Sequence, residues 1–214
     1  LYADLIIACT EFEKNFLINQ GVKAENISIV PLGIDYRAWM KISTSLNVRE
    51  KYGLGRDFVV GYLGRKVEGK GIEHLIQSMR MVWQKFPTAR LLLAGKAEET
   101  YKKILEAELN QLTQDELARV VMVDDLEDKD KKSFYAAMDI FVMVSHIDSF
   151  GLVYLEAWAT EVPVIAAQGT SQKSFIEEEK DGLLVEYANP AALANAIEKL
   201  MGDQCLRQEM GDRG

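Results

Sequence analysis

The sequence predicts an α/β fold in which a doubly wound parallel sheet is covered by helices on both faces. Short apolar runs of strand length alternate at least six times with segments of helical periodicity. The runs are nearly continuous in Val, Ile, Leu and Ala, as expected of strands buried on both faces. The bulk numbers agree: 214 residues, 48% hydrophobic and 27% charged, with no apolar run as long as a membrane span. A formal net charge of −8 argues against nucleic acid as a partner. Cys9 and Cys205 have no metal-site spacing and imply no disulfide framework. A reducing, cytoplasmic compartment is therefore the default. No signal peptide, internal repeat or low-complexity tract is visible. Leu1 falls inside what reads as a structured segment, which predicts a fragment of a longer protein.

Residues 5–9 are the first predicted strand. Thr10 N-caps a helix, Glu13 completes a capping box, and Gly21 marks the stop. Phe12, Phe16 and Leu17 recur at helical spacing and should face a core. Residues 27–31 form a second strand, and residues 32–35 turn out of it. Residues 41–56 read as an inter-domain connection with one short helical stretch at 48–52.

Residues 58–63 open the main sheet and end in Gly64-Arg65. After a loop, Lys70-Gly71 start a helix over 72–86, with Leu75, Ile76, Met79 and Val82 as its apolar stripe. A strand, a glycine turn and cations at a helix start suit a phosphate, without the Gly-Lys-Ser/Thr of a nucleotide P-loop. Arg65, Lys66 and Lys70 fit a solvated loop equally well. Further strands are predicted at 89–95 and 120–123, with a helix over 98–112 and a loop at 124–128. Residues 133–137 are helical and lead to the strand at 139–144.

That strand runs into Ser145-His146-Ile147-Asp148-Ser149-Phe150-Gly151, and a helix follows over 152–160. Ligands of open α/β sheets bind where a strand's carboxyl end feeds a helix. The free N–H groups after Gly151 would face an anion. Asp148 on the loop and Glu156 in the helix bracket this turn; alternatively Asp148 caps the helix and Glu156 sits on its solvent face. A strand at 163–167, a turn at 169–171, a helix from 172 and a tight Asp181-Gly182 turn into 183–185 complete the alternation. Asn189 caps a helix over 191–201 with Pro190 in its first turn. The polar residues 202–214 should fray. Trp39, Trp83 and Trp158 are core or interface aromatics, and His74 is a helix surface residue. No second histidine or cysteine lies near enough for a zinc site, and Gly-x-Ser-x-Gly is absent.

Asp148-x-Phe150-Gly151-Leu152-x-x-x-Glu156 resembles the acid-seven-residues-acid signature of the group 1, or family 4, retaining glycosyltransferases. This chain has Asp where that family usually has Glu. Gly64-Arg65…Lys70-Gly71 resembles the family's Gly-Arg-x-x-x-x-Lys-Gly. Ala3-Asp4-Leu5-Ile6-Ile7, Val30-Pro31-Leu32-Gly33-Ile34-Asp35 and Pro163-Val164-Ile165-Ala166 match further segments, and Met138 stands where the family has alanine before Asp139. Glu161 stands where the family commonly has glycine, which implies a left-handed helix stop; a non-glycine there costs about 1 kcal/mol. The resemblance implies a GT-B fold, two Rossmann-like domains across a cleft. Residues 1–45 would be the remnant of the first domain with the linker. Residues 46–214 would bind the nucleotide sugar.

The resemblance also implies the roles. Glu156 would hold the donor ribose and Asp148 the hydroxyls of the donor sugar, these being the catalytic pair. Arg65 and Lys70 would bind the diphosphate. Phe150, Gly151 and Leu152 would supply backbone contacts to sugar and phosphate, and Gly64 and His146 complete the candidate set. No metal and no cofactor beyond a UDP-, GDP- or ADP-sugar is implied, because Arg and Lys neutralise the diphosphate. The acceptor (a sugar, lipid or small molecule) would bind the first domain, with peripheral association at the inner face of a membrane in the whole protein. The isolated fragment would be inactive. Two other readings remain open at this point. One is a binding module of the same fold without turnover. The other is a phosphorylase with pyridoxal phosphate on a lysine.

Overall fold

The computed structural model of the protein describes residues 3–43, 46–146, 148–169 and 171–214. Ile147 of the signature, Thr170 of the predicted 169–171 turn and residues 44–45 of the connection lie outside them. Strand β1 (Ile6–Ala8) and strand β2 (Ile27–Ile29) form a small parallel pair joined through helix α1 (Glu11–Asn19). Thr10 caps α1 as expected by accepting from Glu13 N. The Glu13 carboxylate reaches back to Cys9 N, at 2.7 Å, so the box closes one residue early. The predicted core face of α1 is corrected: Phe12 and Phe16 are exposed, Phe16 by 56%, and no residue of α1 is buried. A sheet of two three-residue strands is too narrow to cover them.

Helix α2 (Tyr36–Lys41) was not read from the sequence. Asp35 caps it, Oδ1 accepting from Ala38 N at 2.9 Å. Helix α3 (Val48–Lys51) then leads into the main sheet. Its strands are β3 (Val59–Leu63), β4 (Arg90–Ala94), β5 (Val120–Val123), β6 (Ile140–Met143), β7 (Val164–Ala167) and β8 (Gly182–Val185). They lie in the order β5-β4-β3-β6-β7-β8, and every neighbouring pair is parallel. The chain starts in the middle, winds to one edge, and returns beside β3 to wind to the other. The point of reversal lies between β3 and β6.

Helices α4 (Ile72–Lys85), α5 (Glu99–Leu109), α6 (Gln114–Leu117), α7 (Lys131–Tyr135), α8 (Leu152–Trp158) and α9 (Pro190–Gly202) occupy the crossovers and the flanks. The stripe of α4 is buried as its periodicity requires. Ser78 Oγ donates to His74 O and to Pro190 O, at 2.6 and 2.9 Å, which ties α4 to the start of α9. Met138, in the place of an alanine, lies over Gly61 of β3. A Cβ on Gly61 would come within 2.2 Å of the Met138 sulfur, so the glycine makes room for the larger side chain.

The expectation of a fraying tail is corrected as well. Asp203 caps helix α10 (Gln204–Arg213), and Met210 and Gly211 are buried against α8. Gly211 is needed for this approach, since a Cβ there would sit 2.2 Å from Glu161 O. Glu161 adopts φ 60, the left-handed stop read from the sequence. His74 is half-buried rather than a surface residue, its ring edge-on to Tyr187 at 5.1 Å. The three tryptophans are buried, as expected.

Candidate functional site

The site is built at the carboxyl ends of β3 and β6. Gly71, the N-cap of α4, has φ 72, and a Cβ on it would lie 2.4 Å from Val144 O. Only glycine lets the start of α4 abut the end of β6. Two hydrogen bonds lace the loops together: His146 N donates to Gly69 O at 3.1 Å and Ser145 Oγ donates to the same oxygen at 3.3 Å. The Lys70 ammonium is thereby delivered to the Asp148 carboxylate, and the two form an ion pair through Oδ1. Their side chains are 13% and 16% exposed. Asp148 Oδ2 is buried without a hydrogen-bond partner among the described residues. An unpaired buried carboxylate oxygen is costly and invites a donor from outside the chain. Asp148 O accepts from Ser171 Oγ at 2.6 Å, which fixes the backbone of this loop.

A pocket of about 480 Å³ opens over the ends of β3, β4 and β5. Gly64, Arg65, Gly95, Lys131 and Val153 line it, together with the 124–127 loop. Gly95 has φ 117, and a Cβ there would meet Gly64 O at 2.1 Å, so two loops touch backbone to backbone at the pocket floor. The Arg65 guanidinium reaches Glu98 at 2.9 Å and is 74% exposed. It therefore stands at the rim, apart from Lys70.

Glu156 is half-buried on α8 and accepts from Tyr135 Oη at 2.8 Å. Burial raises its carboxyl above the usual range, opposed by the Tyr135 hydroxyl and the nearby Lys131 ammonium. Lys131 lines the pocket, which links Glu156 to it. Helix α8 is only seven residues long, so its dipole is weak and any phosphate argument falls on the cations. Phe150 is buried and stacks on Phe175 at 4.7 Å, so its side chain is a packing group. Gly151 has φ 94, and a Cβ there would collide with the Tyr154 ring. Leu152 is exposed at the start of α8. His146 packs against Tyr187 with the ring centroids 4.2 Å apart and the planes tilted by 50°.

Four residues of the site went unread. Lys66 is no solvated loop cation. It is fully buried, and Nζ donates to Gly95 O at 2.5 Å, Val123 O at 3.2 Å and Asp124 Oδ1 at 2.8 Å. It pins the carboxyl ends of β4 and β5, the walls of the pocket. Burial lowers its amine below the ordinary range, against the pull of Asp124. Tyr62, Tyr135 and Tyr154 are buried under the site, and burial pushes all three hydroxyls above the usual phenol range. Their hydroxyls donate to Arg65 O, Glu156 Oε2 and Met143 O. No local sequence pattern marks a tyrosine or lysine whose partner lies on another strand.

A second cavity, of about 690 Å³, lies between Gly33–Tyr36 and α10 and holds none of the candidate residues. Among the described residues no group of three or more His, Cys, Asp or Glu is arranged to hold a metal. Nor is any helix among them long and apolar enough to cross a membrane.

A doubly wound sheet with an ion pair at its point of reversal and a pocket over the carboxyl ends of its strands is the architecture of a nucleotide-binding α/β domain. Residues 45–214 match the profile of the family described as glycosyl transferases group 1. The chain belongs to that family. It is 35% identical over 214 residues to the capsular polysaccharide biosynthesis glycosyltransferase CapM of Staphylococcus aureus, spanning 98% of this chain and 55% of CapM. The Anabaena protein HepE, solved in complex with UDP and glucose, superposes with a TM-score of 0.88 at 25% identity, over 99% of this chain and 57% of HepE. Sucrose-phosphate synthase from Thermosynechococcus elongatus superposes with a TM-score of 0.85 at 27% identity, over 99% of this chain and 52% of that one. These neighbours are GT-B glycosyltransferases, of which the chain matches one part. The chain spans about half the length of the curated relatives it matches.

Proposed function

We propose that this chain is the donor-binding half of a glycosyltransferase that moves a sugar from a nucleoside diphosphate sugar to an acceptor hydroxyl, keeping the anomeric configuration. The observation that supports it most is the largely buried Lys70–Asp148 pair at the point of reversal, with one carboxylate oxygen unpaired among the described residues. The nucleoside would lie in the Arg65 pocket with its ribose on Glu156. The diphosphate would meet Lys70, and Arg65 would swing in from the rim by exchanging Glu98 for phosphate. The free Asp148 oxygen would accept from the donor sugar. As the glycosidic bond breaks, negative charge grows on the leaving diphosphate, and fixed cations in a poorly solvated crevice stabilise it. Arg offers a planar fork and Lys a point charge. In this proposal the cations do the neutralising, so no further cofactor is invoked. The acceptor, and any contact with a membrane surface, would belong to the partner domain of the whole protein. HepE, solved with UDP and glucose, supports UDP as the first ligand to try.

Calorimetry with UDP, GDP and ADP tests the reading. Binding of one of them is expected. Arg65→Ala and Glu156→Ala are each expected to weaken it about tenfold or more, the size of a lost charge-assisted contact. Absence of binding to all three by the unaltered chain would overturn the proposal.

A further inference from the structure

We propose that Tyr135 is a positioning residue for Glu156, and that Trp39 on α2 braces both. The proposal rests on the reading of Glu156 as the ribose acceptor. Tyr135 is completely buried between two rings, Trp39 at 6.0 Å and Phe141 at 5.6 Å. A buried ring packed against two others at steep angles aims its hydroxyl in one direction, and the acceptor there is Glu156 Oε2, at 2.8 Å. One carboxylate oxygen is thus occupied and the flexible glutamate side chain is fixed, while Oε1 stays available to a ligand.

The backbone of Glu156 is held from the same source. Thr160 Oγ1 donates to Glu156 O at 3.0 Å and accepts from Trp39 Nε1 at 3.2 Å. Trp39 therefore supports the carboxylate by two routes, its ring through Tyr135 and its N–H through Thr160. It is itself anchored to α7: Lys132 Nζ donates to the carbonyls of Trp39 and Met40 at 3.2 Å and of Ile42 at 3.4 Å. A residue ahead of the main sheet in sequence thus sets the geometry of a group on its fourth strand-to-helix turn.

The charged and titratable groups that face Glu156 are Tyr135 and Lys131 from α7 and Asp128 from the turn before it. Burial favours the neutral acid, Asp128 adds to that, and Tyr135 and Lys131 favour the carboxylate. Ribose hydroxyls donate better to a carboxylate than to a neutral acid. Loss of the Tyr135 hydroxyl should therefore raise the pH below which binding is lost.

The test uses the whole chain with Tyr135→Phe, which keeps the ring, and Trp39→Phe, which removes the N–H. The carboxyl of Glu156 is titrated by carbon-13 NMR, and UDP affinity is measured by calorimetry from pH 5 to pH 8. In Tyr135→Phe the midpoint is expected to rise by about one pH unit, as for one hydrogen bond to a carboxylate. The acid limb of UDP affinity is expected to follow it, while affinity at pH 8 stays within about threefold. Trp39→Phe is expected to weaken UDP binding about two- to fivefold at every pH, with the midpoint unmoved. An unmoved NMR midpoint in Tyr135→Phe overturns the proposal, as does a shifted midpoint with an unshifted acid limb. If the parent binds GDP or ADP in place of UDP, that nucleotide takes its place in the titrations; if it binds none of the three, the donor reading fails. The NMR titration then decides Tyr135 alone, a shift upholding its hold on Glu156 and no shift ending it.

Discussion

At the level of single residues, Lys66 shows how a charge can be structural. An ammonium cut off from water is tolerated only with its donors satisfied, and here three acceptors from two strand ends meet it. Lys66→Met gives an unbranched apolar side chain one atom shorter and removes those bonds. It leaves Gly95 O without its donor, while Val123 O keeps the bond from Gly95 N, and a loss of about 1–3 kcal/mol is expected, read from the urea midpoint. The pH dependence has a definite sign. Burial lowers the Lys66 amine, so the unfolded chain binds that proton more tightly than the folded one. The cost of burying the charge is fully present below the lowered value and disappears as the pH rises toward 10.5. The parent's advantage over Lys66→Met should therefore widen between neutral and alkaline pH. A gap that narrows over that range would contradict a buried, charged Lys66. Asp148, Glu156, Arg65 and Lys70 stood out as candidates because the motifs that resemble the family's lie inside strand-loop-helix patterns. Lys66 and Tyr62 were not, because nothing near them in sequence tells a solvated side chain from one that crosses under a neighbouring strand.

At the level of elements, boundaries followed local chemistry wherever a cap or stop residue was present. Asn189 with Pro190 starts α9, and its Oδ1 accepts from Ala192 N at 3.0 Å. The left-handed Glu161 ends the α8 segment, as its position suggested. Glu161→Gly relieves the strain at φ 60 and is expected to add up to about 1 kcal/mol, seen as a rise in Tm. A fall in Tm would mean that the glutamate side chain contributes more than the backbone costs. Helix α6 carries a full capping box, Thr113 with Glu116, and α2 carries the Asp35 cap, yet neither helix was read from the sequence. Six- and four-residue helices are too short for periodicity to register. Helix α10 failed to show for another reason. Its sequence is mainly polar, and it is ordered by Met210 and Gly211 settling against α8 and Glu161, a partner remote in the chain.

At the level of the whole molecule, the proposed function puts the nucleoside in the 480 Å³ pocket and not in the larger cavity beside α10. UDP titrated into the nitrogen-15-labelled chain is expected to shift the amides of Gly64, Gly95 and Asp125, which line the 480 Å³ pocket. The amides of Gly33 and Gly211, which line the 690 Å³ cavity, should stay still. The reverse pattern would move the ligand to the other side of α8. By itself the sequence determined the alternation of strands and helices, the parallel character of the sheet and the family, since these follow from local periodicity and from motifs carried on single loops. Only the tertiary structure decided the strand order that sets β3 beside β6, and with it the meeting of Lys70 and Asp148 across seventy-eight positions of chain. It also decided that Arg65 rests on Glu98 and that tyrosines from three different elements floor the site. Such contacts join residues far apart in the chain, and burial and hydrogen-bond partners across strands belong to the packed sheet, not to any stretch of sequence.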